Sequence, residues 1–185
     1  MSGVANKTDL LELLQDSCSK HGRGLALKYK KQKIKYSVLN KRASCLSLGL
    51  RFNLAINPGD KAALLLDNSP EYIISLFAVL KARATAVPVN TFLKKEEIDY
   101  ILSDSQAKIL ITSTSFWNKI KPLDNNHDSS ANCPEPLVLL VDQRIEGCQF
   151  IDDILLKESR TNLGIKVAPH CVRDNSSGNP ERSER

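Results

Sequence analysis

Aromatic side chains make up only 5% of the 185 residues, with a single tryptophan, Trp117. Any core must therefore be chiefly aliphatic, and an apolar fraction of 42% supplies enough material for one. No C-x-x-C pair occurs among the five cysteines Cys18, Cys45, Cys133, Cys148 and Cys171, and their number is odd. That pattern argues against a disulfide framework or a zinc site. The histidines His21, His127 and His170 lie far apart, and the adjacent pair His170-Cys171 has no further ligand at metal spacing. A dinucleotide fingerprint is missing too: in His21-Gly22-Arg23-Gly24 the glycines are too few and wrongly spaced. Long apolar runs are absent. Met1 to Leu14 carries Asp9 and Glu12 and has no signal core, and the longest apolar region, Tyr72 to Leu80, is interrupted by Ser75 and too short for a bilayer. These absences lead us to expect a soluble, cytoplasmic protein without a transmembrane segment.

What is present is one domain's length of ordinary composition, 25% charged, with a net charge of +5. The basic residues gather at Lys28, Lys30, Lys31, Lys33 and Lys35, followed by Lys41 and Arg42. Such a cluster fits an edge hairpin guarded by charge against strand pairing. It also fits a patch for phosphate, nucleic acid or an acidic carrier protein. Tyr29 and Tyr36 alone interleave with it, which is thin for base stacking, so no nucleic-acid partner is expected.

Along the chain, Thr8 to Cys18 reads as an amphipathic helix with Leu10, Leu11, Leu13 and Leu14 on its apolar side. Leu25 to Tyr29 and Lys33 to Tyr36 read as a hairpin. Ser37 is placed to cap a helix reaching about Leu50, with Leu39, Ala43, Leu46 and Leu50 on its buried face. Asn57-Pro58-Gly59-Asp60 is a turn, and Lys61 to Leu66 is a near-continuous apolar strand of the kind parallel sheets bury on both faces. Ser69 and Pro70 suit the cap and first position of the next helix, Tyr72 to Ala82, which is apolar almost all round and so expects cover on more than one side. Thr85 to Val89 is a strand whose Pro88 places it at an edge or a terminus. A helix over Lys94 to Leu102, a strand over Lys108 to Thr112 and a short helix over Ser115 to Ile120 follow. Pro122 to Pro136 reads as an exposed loop, Leu137 to Val141 as a strand, and Phe150 to Lys157 as a short helix. From Ser159 the chain turns polar and is expected to be disordered. Alternating strands and helices imply an α/β fold, a partial doubly wound and mostly parallel sheet. Three strands, Lys61 to Leu66, Thr85 to Val89 and Lys108 to Thr112, should run parallel in a three-layer core over Leu25 to Val141.

Four consecutive blocks carry a family resemblance. Lys33 to Leu39 resembles the "T-Y-x-E-L" opening of adenylate-forming enzymes, and Pro58 to Tyr72 resembles their "P-G-D-x-V-A-I-L-L-x-N-S-x-E-(F/Y)" stretch. Leu80 to Asn90 is similar to "L-K-A-G-A-V-x-V-P-(L/I)-N", and Leu93 to Ile111 to the helix and strand that follow it. The wording Asn90-Thr91-Phe92-Leu93 leans to the fatty acyl-CoA synthetase branch. The resemblance implies that residues 1–158 are an incomplete N-terminal domain of the AMP-binding synthetase type, with 159–185 a polar tail. It implies ATP, Mg²⁺ and CoA as cofactors of the family, an acyl-adenylate formed with release of pyrophosphate, and transfer of the acyl group to a thiol. The family's Ser/Thr/Gly-rich phosphate loop has only a degenerate counterpart here, Ser176, Ser177 and Gly178, with Glu181-Arg182 where Lys-Gly would stand. No catalytic or metal-binding residue is therefore assigned, and the chain alone is expected to be inactive and to hold no cofactor. Its expected partner is a second chain carrying the rest of a synthetase, or another copy of itself. An alternative is a stand-alone α/β interaction module that binds a partner or an acyl carrier protein; a small dinucleotide-binding domain is disfavoured by the missing glycines. A second departure is Arg83, where the family pattern has glycine at a helix end. A positive φ there would cost about 1 kcal/mol.

Overall fold

The computed structural model describes residues 9–121 and 135–158. Asp9 caps the first helix, α1 (Leu10–His21), which runs three residues past the expected end at Cys18: the Asp9 carboxylate accepts from the Leu11 N–H at 3.2 Å, and Glu12 reaches back to the Asp9 N–H. Of the four leucines expected on one apolar side only Leu14 is buried, while Leu10 and Leu13 are exposed. Helical spacing aligns Leu11, Leu14 and Cys18 instead, and that narrower stripe faces the protein. Strands β1 (Leu25–Tyr29) and β2 (Gln32–Lys35) form an antiparallel ribbon with Leu27 opposite Ile34.

Helix α2 (Tyr36–Phe52) buries Leu39, Ala43, Leu46 and Leu50 as the spacing predicts. The expected Ser37 cap is incorrect. Lys35 occupies the N-cap without a side-chain hydrogen bond, and the Ser37 N–H, already inside the helix, donates to Gly22 O at 3.0 Å. The incoming loop's carbonyls thus serve the helix start in place of a hydroxyl.

β3 (Lys61–Leu65), β4 (Thr85–Pro88), β5 (Ile109–Thr112), β6 (Leu137–Leu140) and the two-residue β7 (Gln149–Phe150) form one sheet in the order β4-β3-β5-β6-β7. Every neighbouring pair is parallel. β4 takes the edge, where Pro88 removes no central ladder bond. The crossovers are α3 (Pro70–Lys81), α4 (Lys95–Ser105) and α5 (Thr114–Ile120), and α6 (Ile151–Glu158) follows β7. The Ser69 hydroxyl caps α3, accepting from the Tyr72 N–H at 3.2 Å, with Pro70 in the first turn.

Strand alternation divides the core into two. Ala62, Leu64, Ile109, Ile111 and Leu139 face the larger cluster with residues of α2, α3 and α6, and Ala63, Leu65 and Leu110 face a smaller one with Ile98, Phe116 and Ile120. The result is the expected three-layer α/β arrangement. α3 is covered as its composition requires: Ile74, Ala78 and Val79 are buried, and Ile73, Leu76 and Phe77 pack half-buried on the same cluster. The polar tail and most of the loop after Ile120 lie outside the described residues.

Candidate functional site

The strand order reverses at β3. From β3 the chain steps through α3 to β4 on one side, then crosses through α4 to β5 on the other. Open α/β sheets form their ligand crevice beyond the carboxyl ends of the strands at such a reversal. Here those ends are Leu66-Asp67-Asn68 after β3 and Ser113-Thr114-Ser115 after β5, with Asp142 after β6.

The crevice is built on local hydrogen bonds. The buried Thr112 Oγ1 donates to Leu65 O at 2.8 Å, fastening β5 to β3 at their ends. Asp142 Oδ1 accepts from Thr114 N, Thr114 Oγ1 and Gln143 N at 2.9, 2.9 and 3.0 Å. It therefore steadies the start of α5 across 28 positions of chain. The Ser113 and Ser115 hydroxyls lie 2.9 Å apart. Asp67 and Asn68 are exposed. These side chains offer hydrogen bonds and negative charge. Among the described residues no histidine or lysine hydrogen-bonds to these hydroxyls to activate one as a nucleophile. Asp67 and Asp142 would repel phosphate groups, so the described residues do not form an ATP phosphate cradle. Among the described residues no three His, Cys, Asp or Glu side chains cluster to hold a metal ion.

At the opposite, amino end of the sheet, Lys108 Nζ donates to Asp60 Oδ2 at 2.9 Å and to Ala55 O at 2.7 Å, and the Asn57 N–H donates to the same carboxylate at 2.7 Å. Lys108 and this N–H hold the Asp60 carboxyl below the usual carboxylate range. The group ties the turn before β3 to the start of β5, a structural task. Burial pushes the Cys18 thiol up, as it does that of Cys148, which is the wrong direction for a thiolate nucleophile. Cys18 instead donates weakly to Tyr36 O at 3.5 Å, and the recess of about 700 Å³ beside it, lined by Ser19 to Gly24 and Ser37, is open to solvent.

The sequence assigned no catalytic residue, and the described crevice contains no catalytic constellation. Ser176, Ser177 and Gly178 lie outside the described residues, as do Cys133, Cys171, His127 and His170. The Thr114–Asp142 contact had no signal in the sequence, because nothing in local patterning pairs residues so far apart.

The scaffold has close counterparts. The family model described as "AMP-binding enzyme" matches residues 14–161. The crotonobetaine/carnitine–CoA ligase of Escherichia coli O6:K15:H31 is 32% identical over 148 residues, 79% of this chain and 23% of that protein. The ligase of the same name from Salmonella paratyphi B is 28% identical over 142 residues, 77% of this chain and 26% of that protein. The chain thus spans about a quarter of the length of these relatives. Among solved structures, the anthranilate CoA ligase AuaEII in complex with anthranoyl-AMP superimposes with a TM-score of 0.69 at 24% identity, over 80% of this chain and 27% of that one. With a parallel sheet flanked as in that neighbour and a family match covering most of its length, the chain belongs to the AMP-binding, adenylate-forming enzyme family.

Proposed function

We propose that this chain is the N-terminal scaffold of an ATP-dependent acid–thiol ligase, one that activates a carboxylate as an acyl-adenylate and passes it to CoA. The observation carrying this reading is the family match over residues 14–161, four fifths of the chain. Relatives named as CoA ligases support it. The acid is a carboxylate of the fatty acid class in this reading, on the wording Asn90-Thr91-Phe92-Leu93. ATP, Mg²⁺ and CoA belong to the complete ligase, as does a cytoplasmic location. The described residues contribute the sheet and its flanking helices and no reacting group, so in this reading activity requires the phosphate loop and the rest of a ligase, on this polypeptide or on another.

The test is ATP–pyrophosphate exchange with a panel of fatty, aromatic and betaine carboxylic acids. The purified 185-residue chain, freed of host synthetases, should give no exchange. Co-expression with a polypeptide supplying the rest of a ligase should restore it for at least one acid. Exchange by the chain alone would show that its own residues suffice and would overturn the reading.

A further inference from the structure

From Ser17 through Gly59 the chain carries ten lysines and arginines and not one aspartate or glutamate. The fold concentrates half of these on the β1–β2 ribbon and its exit. Lys28, Lys30, Lys31, Lys33 and Lys35 are all exposed, and none is in a described ion pair. Their placement is unfavourable in the free protein. Lys28 stands directly opposite Lys33 in the antiparallel register, and like charges at opposed positions destabilise a ribbon. Lys35 is the N-cap of α2, where the helix presents its positive end and an acceptor or anion is favoured. Edge protection alone needs neither arrangement. Local rules broken together at one place are the mark of a functional surface.

Beside the ribbon runs a groove of about 320 Å³. Leu27, Tyr29, Pro70, Tyr72 and Ile73 give it an apolar floor, with Lys28 at its rim. Leu27 and Tyr29 turn to the groove side of the ribbon while Lys28 and Lys33 alternate to its other face, so a partner that engages both wraps the ribbon's edge. A flat lipid surface would leave the concavity unfilled, and the nearby aromatics Tyr29, Tyr36 and Tyr72 are half-buried, which suits base stacking poorly.

The geometry points to a docking site for an acidic protein segment, whose carboxylates pair with Lys28, Lys31, Lys33 and Lys35 while one of its apolar side chains enters the groove. This inference is independent of the ligase reading. The groove borders the strand-end crevice through Asn68 and Ser69, but docking there needs no nucleotide.

The test uses the full chain and fluorescence anisotropy with a labelled Glu/Leu peptide. A Glu/Ser peptide of equal charge, vesicles of phosphatidylserine in phosphatidylcholine, and a single-stranded oligonucleotide form the other arms. The Glu/Leu peptide should bind most tightly, and rising salt should weaken it. The double variant Lys28→Glu, Lys33→Glu should bind it at least about tenfold more weakly. Tyr29→Ser should narrow the gap between the two peptides. Circular dichroism of each variant confirms that the fold is retained. Tighter binding of vesicles or oligonucleotide, no peptide binding, or binding indifferent to the lysine reversals would overturn the proposal.

Discussion

Gly49 of α2 and Ile154 of α6 are packed so closely that a Cβ atom on Gly49 would lie 1.9 Å from Ile154 Cγ2. The contact is reinforced by the Asn53 amide, which donates to Ile154 O at 3.1 Å. Together they seat the last described helix on the larger core, and Ile154 is almost fully buried there.

Gly49→Ala is therefore expected to destabilise the protein. Alanine gains up to about 1 kcal/mol over glycine in a helix interior. The clash falls on a β-branched side chain that is stiff at χ1, and overpacking of this kind costs about 1–3 kcal/mol. The clash wins, and urea unfolding should show a net loss. Combining Gly49→Ala with Ile154→Ala should destabilise less than the two single effects added, because the second change vacates the space the first requires. Strict additivity would show that the two residues do not meet in solution.

Asp60 gives the protein an acid-sensitive fastening. Its folded pKa lies below the ordinary value, first through the Lys108 hydrogen bond and then through the Asn57 N–H. The stabilisation is thus fully present above the unfolded carboxylate's pKa, near 3.9, and lost as pH falls through the lower folded value. The side chains of the pair are partly exposed, which limits its worth to about 1 kcal/mol or less. Asp60→Asn should lower the melting temperature by a constant margin between neutral pH and about pH 5, and that margin should close on further acidification. A margin unchanged to the acid end would remove the ion pair from the account.

The sheet was legible in the sequence because its strands are short apolar runs punctuated by strong local signals: Pro58-Gly59 before β3, Ser69-Pro70 at α3, and Pro88 at the edge of β4. Each acts through neighbours in the chain, and local reading succeeds there. It failed where the partner was remote. Ser37 looked like a cap because nothing in the sequence reveals that Gly22 O and Gly24 O already meet the N–H groups of Ser37 and Tyr36. Leu10 and Leu13 looked like core because hydrophobicity does not say which side of α1 meets the protein. β7 is two residues long and exists only as an addition to β6. The strand-end crevice was invisible for the same reason, since Thr114 meets Asp142 only after β5 and β6 have paired.

The apolar surface left to solvent is not on α3, although that helix is apolar nearly all round. Among the described residues the two most exposed large apolar side chains are Phe92, 94% exposed after β4, and Tyr100, 69% exposed on α4, ahead of Phe52 on α2 and Leu10 and Leu13 on α1. Exposed apolar patches of this kind promote association. The double variant Phe92→Ser, Tyr100→Ser should keep its fold and shift sedimentation toward monomer at high protein concentration. An unchanged distribution would exclude this face as the site of self-association.

Arg83 closes α3 in the left-handed region, with φ of 60°. The Arg83 N–H donates to Leu80 O and the Ala84 N–H to Val79 O, at 2.9 and 3.1 Å, the paired bonds of a Schellman ending that favours glycine at this position. The turn cannot relax away from the strained conformation, because Arg83 O also accepts from the Gly59 N–H at 2.9 Å, tying the helix end to the turn that launches β3. The side chain offers little in return: it is exposed and takes part in no described ion pair. Arg83→Gly removes the clash of Cβ with the backbone, a gain of about 1–2 kcal/mol. Glycine's greater freedom in the unfolded chain subtracts about 0.4–1 kcal/mol. The balance favours glycine by about 1.6 kcal/mol at most, and Arg83→Ala should show no such gain, since it keeps the Cβ. Chemical unfolding of the three proteins measures the difference. If Arg83→Gly proves no more stable than Arg83→Ala, the left-handed ending of α3 is not the strained element described.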